Sequence, residues 1–304
     1  MFSDGQGEAD SEWSDANSLG CRTAQETVEP ELRPIPDTAA LLLEADESTG
    51  GRTVLVADLH LGLGGSTDRP GGPPEGSAEL LAERLVRLLG SQRAGRLVIA
   101  GDVKHPIVGT PPGLRPVLFD FFAHLLAEDL AVEVVLGNHD VGLARHLPRE
   151  VEVHPATGIV RADVGIFHGH CWPSNLVLRA PRLVAGHLHP GFRFAPTHDD
   201  PLGKRPCWVR VEVDPSPQRS RRKRRHIVPR AREIVVLPPF NPLAGIESLN
   251  RQRPARGRSF LFGRFLSRGV ARAYLLDGTD LGSIPTGGRS PRGTRAPSRG
   301  RPAR

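Results

Sequence analysis

Five short strings in this chain set acidic, amide and imidazole side chains close together: Asp58-Leu59-His60, Gly101-Asp102, Gly137-Asn138-His139-Asp140, His168-Gly169-His170 and Gly186-His187-Leu188-His189. Carboxylate, carboxamide and imidazole are ligand types that suit divalent metals. Two such ions roughly 3.5–4 Å apart need a shared carboxylate and a shell of nitrogen and oxygen donors. A pair of this kind polarises phosphoryl oxygens and lowers the pKa of bound water, to about 7 for zinc in a favourable site. The chemistry within reach of these residues is hydrolysis of a phosphate ester.

Something must hold the strings together. Each follows a run that reads as a strand: Thr53–Ala57, Arg96–Ala100, Val132–Leu136, Val164–Phe167 and Leu183–Ala185. Loops leaving the ends of parallel strands gather at one edge of a sheet, where ligands bind. The two-residue spacing in Asp58-x-His60 and His187-x-His189 sends both side chains to the same side of an extended segment. Glycines before Asp102, Asn138 and His187 permit tight turns after the strands.

Between the strands, Ser77 is a candidate N-cap for a helix whose Leu80, Leu81, Leu85, Leu88 and Leu89 recur at helical spacing. A second helix spans Leu114–Asp129, with Leu118, Phe121, Phe122 and Leu125 on its apolar face. The order β-α-β-α-β argues for parallel strands covered by helices, with Ala40–Glu44 the hairpin partner of the first strand. Further on, Cys207–Val213, Glu233–Leu237 and Ala271–Leu276 make the second half richer in strands. The expected fold class is α/β, two packed mixed sheets flanked by helices. Gly62–Gly76 is too long for an ordinary loop and reads as a flap.

Hydrophobic residues at 38%, with Gly 34 and Pro 29, describe a core diluted by loops. The formal charge of +6 is unevenly placed. Residues 1–32 carry eight acids against Arg22, residues 219–232 carry eight bases and no acid, and the last twenty residues carry six arginines. Without those segments the remainder is near neutral. Residues 1–27 and 285–304 read as disordered, one acidic, the other rich in Arg, Pro and Gly. Cys21, Cys171 and Cys207 are too scattered for a disulfide framework or a zinc knuckle. No run approaches the ~20 apolar residues of a membrane span, and the N-terminus is acidic rather than a signal peptide. A cytoplasmic protein without a membrane partner is the expectation.

Several residues admit two readings. The Arg219–Arg232 run either neutralises nucleic-acid phosphates or is a solvated loop, and it lacks the aromatics of a single-strand binder. Lys104, one of three lysines against 37 arginines, either touches substrate phosphate or points to solvent. Cys171 beside His170 is read as packing, and His124, His146, His154, His198 and His226 as ordinary core or surface histidines.

The five strings, in this order, resemble the calcineurin-like metallophosphoesterase family, whose pattern runs D-x-H, G-D, G-N-H-[DE], H and G-H-x-H. The resemblance covers about Val54 to His189. Asp58-Leu59-His60-Leu61-Gly62, Gly101-Asp102-Val103-Lys104-His105 and Gly186-His187-Leu188-His189-Pro190 bring it closer to archaeal and bacterial phosphoesterases related to the SbcD nuclease. Phe240-Asn241-Pro242-Leu243-Ala244-Gly245 and Leu275-Leu276-Asp277-Gly278-Thr279 extend the likeness to about Ile284. A domain over residues 28–284, carrying an arginine-rich loop at 214–232, is expected on that basis.

The resemblance implies a four-layer sandwich and two divalent metal ions, with manganese favoured and iron or zinc also used. It gives Asp58, His60 and His189 to one ion, Asn138, His168 and His187 to the other, and Asp102 to both. His168 and His170 both remain open as the ligand, the family pattern favouring the first. His139 would touch the scissile phosphate and protonate the leaving oxygen, Asp140 would orient its imidazole, and His105 would stand near the substrate. The implied activity is hydrolysis of phosphodiester bonds, in the nuclease form on DNA or RNA. Rival readings are a small-molecule or nucleotide phosphodiesterase and a non-catalytic nucleic-acid-binding accessory protein. The DNA-capping domain of SbcD-type nucleases does not fit comfortably in the 94 residues between His189 and Ile284.

Overall fold

The computed structural model describes residues 31–44, 51–63, 77–196, 203–213, 230–250 and 269–284. The ends expected to be disordered, most of the expected 62–76 flap and most of the expected arginine-rich loop lie outside these residues.

The first half of the described chain builds one sheet in chain order: β1 (Glu31–Pro34), β2 (Leu41–Glu44), β3 (Thr53–Val56), β4 (Arg96–Ile99), β5 (Ala131–Val135) and β6 (Glu152–His154). β1, β2 and β3 run antiparallel, as the hairpin expectation required, whereas β3 to β6 are parallel. Parallel neighbours need crossovers, and two helices supply them: α1 (Ala78–Gln92) between β3 and β4, α2 (Leu114–Leu126) between β4 and β5. Ser77 caps α1 as expected, its Oγ accepting the Leu80 N–H at 3.3 Å. The second helix stops three residues short of the expected Asp129. Asp129 turns left-handed, φ 56°, and its N–H bonds back to Leu126 O at 3.1 Å.

The second sheet is mixed. It contains β7 (Ile159–Arg161), β8 (Val164–Phe167), β9 (Arg182–Ala185), β10 (Pro190–Arg193), β11 (Lys204–Val213), β12 (Glu233–Val236), β13 (Glu247–Ser248), β14 (Gly269–Leu275) and β15 (Asp280–Ser283). Its order is β13-β10-β11-β12-β9-β8-β7, with β14 on β11 and β15 on β14. The short helix α3 (Asn175–Arg179) carries the crossover that leaves β8 and β9 parallel.

Alternation along the strands sorts side chains into three cores. In β3 and β4, Val54, Val56, Leu97 and Ile99 face α1 and α2. Leu55 and Val98, with Ala57 and Ala100 just beyond the strands, face Val164, Ile166, Val184 and Val235 of the second sheet. Leu183, Ile234 and Val236 point the other way, onto Val177 and Leu178 of α3. A one-residue slip in β3 would exchange these faces, so the register that places its C-terminal loop is firmly set. The result is helix, sheet, sheet and helix in layers, the expected α/β architecture. Among the described residues, no helix is long and apolar enough to cross a membrane.

Far from the strand-end loops, Glu133 of β5 is 1% exposed and accepts from Arg96 of β4, His154 of β6 and Arg161 of β7. Arg161 belongs to the second sheet, so one carboxylate staples the two. Burial alone would raise its pKa, but these partners hold it below the usual range. His154 thus has the bland, satisfied role read from the sequence.

Candidate metal centre

The loops after β3, β4, β5, β8 and β9 converge. Asp58 N–H donates to Gly101 O at 3.0 Å, and His60 N–H to Asp102 O at 2.9 Å, which continues the β3–β4 pairing past the strands. From the other sheet, Phe240 N–H reaches Ala57 O at 2.9 Å, and the buried Asn241 donates its amide to Leu59 O at 2.7 Å. His189 Nδ1 faces the carbonyls of Ala244 and Gly245 at 3.2 and 3.1 Å. The Phe240–Gly245 string therefore braces both Asp58-Leu59-His60 and His189. In the sequence alone this string is legible only as a mark of likeness.

The backbone at these positions is not extended, contrary to the alternation argument. Asp58, His60, Asp102, His187 and His189 have φ of 59°, 44°, 54°, 72° and 42°, half of the ten non-glycine positive values among the described residues. Left-handed backbone costs an L-residue about 1–2 kcal/mol. Here the leucines between the polar residues oppose that cost: Leu59 is buried in the helix-side core and Leu188 in the outer core of the second sheet. Each leucine anchors inward while its polar neighbours meet those of the other loops.

The glycine expectation also needs correction. Gly101, φ 91°, does need left-handed freedom, but the φ values of Gly137 and Gly186 are not positive. They provide room instead. A Cβ on Gly137 would fall on the Asp102 carboxylate, and one on Gly186 would meet Ala57 Cβ at 2.7 Å and Asp58 Oδ2 at 3.1 Å.

Among the described residues, two groups of ligand-type atoms contain a single acid, Asp58/His60/His189 and Asp102/His168/His187, the atoms within each lying within 4.8 Å of one another. Asp102 stands between them. Its Oδ2 is 3.2 Å from His168 Nε2, 3.9 Å from His60 Nε2 and 3.8 Å from His139 Nε2. Of the two open candidates, His168 joins this group, and the His170 ring stands beside it with centroids 5.3 Å apart. Asn138 Oδ1 is buried with no hydrogen-bond partner.

These donors fit cations. His168 Nδ1 lies 2.8 Å from Ala100 O, a contact that requires the ring to carry its proton on Nδ1, as the carbonyls facing His189 Nδ1 also do. The Nε2 lone pairs then face carboxylate oxygens: His168 against Asp102 Oδ2 at 3.2 Å, His189 against Asp58 Oδ1 at 3.3 Å. Acceptor against acceptor is repulsive unless a metal ion or a proton neutralises it. Each group contains one such contact, and the bare Asn138 oxygen adds a further acceptor.

Protonation follows the same geometry. Burial would lower the pKa of His168, but Asp102 and Asp58 outweigh it and push it up to about 9; for His189, burial is outweighed by Asp58 in the same direction. Burial takes His60 and His187 down to about 4. At neutral pH His168 carries a proton that a cation must displace, the upward shift of His189 favours its protonated form too, and His60 and His187 are already neutral. Manganese affinity is therefore expected to rise with pH between 6 and 8, by about tenfold per unit for each proton displaced. Isothermal titration in buffers of different ionisation enthalpy checks this; pH-independent affinity without proton release would refute it.

The catalytic candidates depart from expectation in one respect. Asp140, 1% exposed, does not orient the His139 imidazole. Its Oδ1 accepts from Val103 N at 2.9 Å and Lys104 N at 3.3 Å, and its Oδ2 from Gly137 N at 2.8 Å. The carboxylate is consumed in tying two loops together, and His139 Nδ1 meets the His105 carbonyl instead. His105 is exposed, its ring stacked toward that of His139 with centroids 5.9 Å apart. Lys104 matches neither sequence reading: it is fully buried, and Nζ donates to Pro106 O at 2.5 Å. Cys171 Sγ contacts Ala156 O at 3.4 Å, in keeping with packing.

No protein-family model and no curated protein matches the chain. Among solved structures it is similar to a nuclease, MPE of Pseudomonas putida, at 20% identity and TM-score 0.47, covering 81% of this chain and 98% of that one. It is also similar to YfcE, a phosphoesterase from E. coli, at 16% identity and TM-score 0.31, covering 76% and 97%. What the chain does must come from the site itself.

Proposed function

We propose that this chain is a metal-dependent phosphoesterase of the calcineurin-like kind, and that it hydrolyses phosphodiester bonds. The observation that carries the reading is Asp102, whose Oδ2 lies 3.2 Å from His168 Nε2 of one ligand group and 3.9 Å from His60 Nε2 of the other. Asp58, His60 and His189 would hold one cation and Asn138, His168 and His187 the second, with Asp102 shared. Carboxylate, amide and imidazole ligation suits manganese, with iron or zinc as alternatives. Bound there, two cations supply Lewis acidity toward phosphoryl oxygens and lower the pKa of water at the reacting phosphorus.

The side chains do the rest. Burial and the neighbouring acids fix which imidazoles are neutral, and Asn138 lends an uncharged oxygen. With Nδ1–H turned to the His105 carbonyl, His139 directs Nε2 toward Asp102, and its imidazolium form can pass the Nε2 proton to the leaving oxygen, leaving the neutral Nδ1–H ring. His105, exposed beside it, is placed to contact the substrate. Two imidazoles stand at the mouth, and the nearby ammonium, Lys104, is buried. That suits the single negative charge of a diester better than the double charge of a monoester. A nucleic-acid substrate is the specific form we favour, because the basic runs at 219–232 and 289–304 supply phosphate-neutralising charge. A cytoplasmic location accompanies it.

The test is a manganese-supplemented assay of the full chain on bis-p-nitrophenyl phosphate, p-nitrophenyl phosphate, single-stranded DNA and a cyclic nucleotide. We expect diester turnover above monoester turnover, and cleavage of DNA. Diester turnover without DNA cleavage would move the assignment to a small-molecule phosphodiesterase. Absence of turnover with manganese, iron or zinc, alongside salt-sensitive DNA binding, would sink the enzymatic reading.

A further inference from the structure

A proton-transferring histidine ordinarily has a partner that fixes its tautomer. Asp140 is occupied elsewhere, so in this chain that partner is a main-chain carbonyl, His105 O. A carbonyl is a useful anchor only if its own peptide cannot turn. This one is pinned on both sides. The His105 N–H donates to Leu61 O at 2.9 Å, next to the bridge between Leu61 and Lys104. On the other side the peptide runs into Pro106, whose ring fixes its own φ and confines His105 to extended backbone.

The Pro106 carbonyl is in turn held by Lys104 Nζ at 2.5 Å. Beyond it the chain has little to grip: Ile107 and Val108 are 55% and 90% exposed, and the next buried apolar residue is Leu114. The lysine is therefore the tether of this loop. Burying an ammonium is costly unless it is hydrogen-bonded. Lys104 is nevertheless 0% exposed, in a chain with only three lysines.

We propose that Lys104 is a positioning residue for proton transfer: through the Pro106 carbonyl it holds the His105 carbonyl against His139 Nδ1, and so keeps His139 Nε2 directed at the leaving oxygen. This rests on the phosphodiesterase reading above. It makes a demand that a merely structural lysine does not. A proton matters to a leaving oxygen in proportion to its basicity, so p-nitrophenolate departs with little help and an alkoxide needs much.

The experiment uses the manganese-loaded full chain and the variant Lys104→Met, which keeps length and suits burial. For bis-p-nitrophenyl phosphate, kcat is expected to fall less than about threefold; for a dinucleotide with an alkoxide leaving group it should fall about 30- to 100-fold, with KM and metal content little changed. A second readout needs no turnover. In the ion-free, 15N-histidine-labelled protein, the neutral His139 ring should be a single Nδ1–H tautomer in the parent and a mixture in the variant. Equal losses on both diesters, or an unaltered tautomer, would overturn the proposal. Failure of the parent to cleave either diester counts against the functional reading, and the tautomer result then stands by itself. If Lys104→Met does not fold, Pro106→Ala loosens the same peptide without disturbing a buried charge, and the same split is expected.

Discussion

Asp102→Asn is expected to bind one divalent cation per chain rather than two, and to lose diesterase activity by at least about 10³-fold, which corresponds to roughly 4 kcal/mol of transition-state stabilisation. The change is nearly isosteric. The remaining oxygen can still accept the His139 N–H, now 2.9 Å from Asp102 Oδ1, and Gly137 leaves room for the side chain. What disappears is charge. Burial alone would raise the Asp102 pKa, but His168 and His139 hold the carboxylate far below its usual range, so it is ionised at neutral pH. Without it His168 loses the acid that most supports its protonated form, and neither ligand group has its shared oxygen anion. Metal content of the gel-filtered protein and kcat on bis-p-nitrophenyl phosphate measure the two effects. Two retained ions together with more than a tenth of the parent activity would show that Asp102 is not shared.

His139→Asn is expected to separate chemistry from metal binding. The amide can still face the His105 carbonyl, but it cannot exchange a proton at neutral pH. Loss of a general acid ordinarily costs 10² to 10⁴ in rate, so kcat on a dinucleotide is expected to fall by about 10³-fold, and by far less on bis-p-nitrophenyl phosphate. Metal content is expected to stay at two, because His139 stands outside both proposed ligand sets. A reduced metal content would instead put His139 among the ligands, with His60 and His105, whose ring nitrogens lie within 4.8 Å of its own.

The residues that converge were legible in the chain because local patterns place them. A buried strand ends, and a ligand-type side chain sits at the exit, either directly or after one glycine; five repetitions leave little freedom. The Ser77 cap and the alternating faces of β3 and β4 were legible for the same reason. β1, β6, β7, β10, β13, β15 and α3 were not, since two to five residues carry too little periodicity to identify an element.

Around the site, the misreadings share a cause. Nothing local announces that His60 and His189 adopt left-handed backbone, because the compensation comes from Leu59 and Leu188 settling into cores formed by distant strands. Lysine is almost always solvated, so a buried Lys104 contradicts its residue type and emerges only once Pro106 O is placed. The pattern Asn-His-Asp suggests that the acid orients the histidine before it, yet loop geometry turns Asp140 to the amides of Gly137, Val103 and Lys104. In each case a contact distant in sequence overrode a sound local expectation.

Anomalous diffraction from a manganese-soaked crystal of the full chain tests the shared-carboxylate centre most directly. Two peaks roughly 3.5–4 Å apart are expected, both against Asp102, one also against Asp58, His60 and His189 and the other against Asn138, His168 and His187. A single peak, or density at the Glu133, Glu152 and His154 group with none at Asp102, would contradict it.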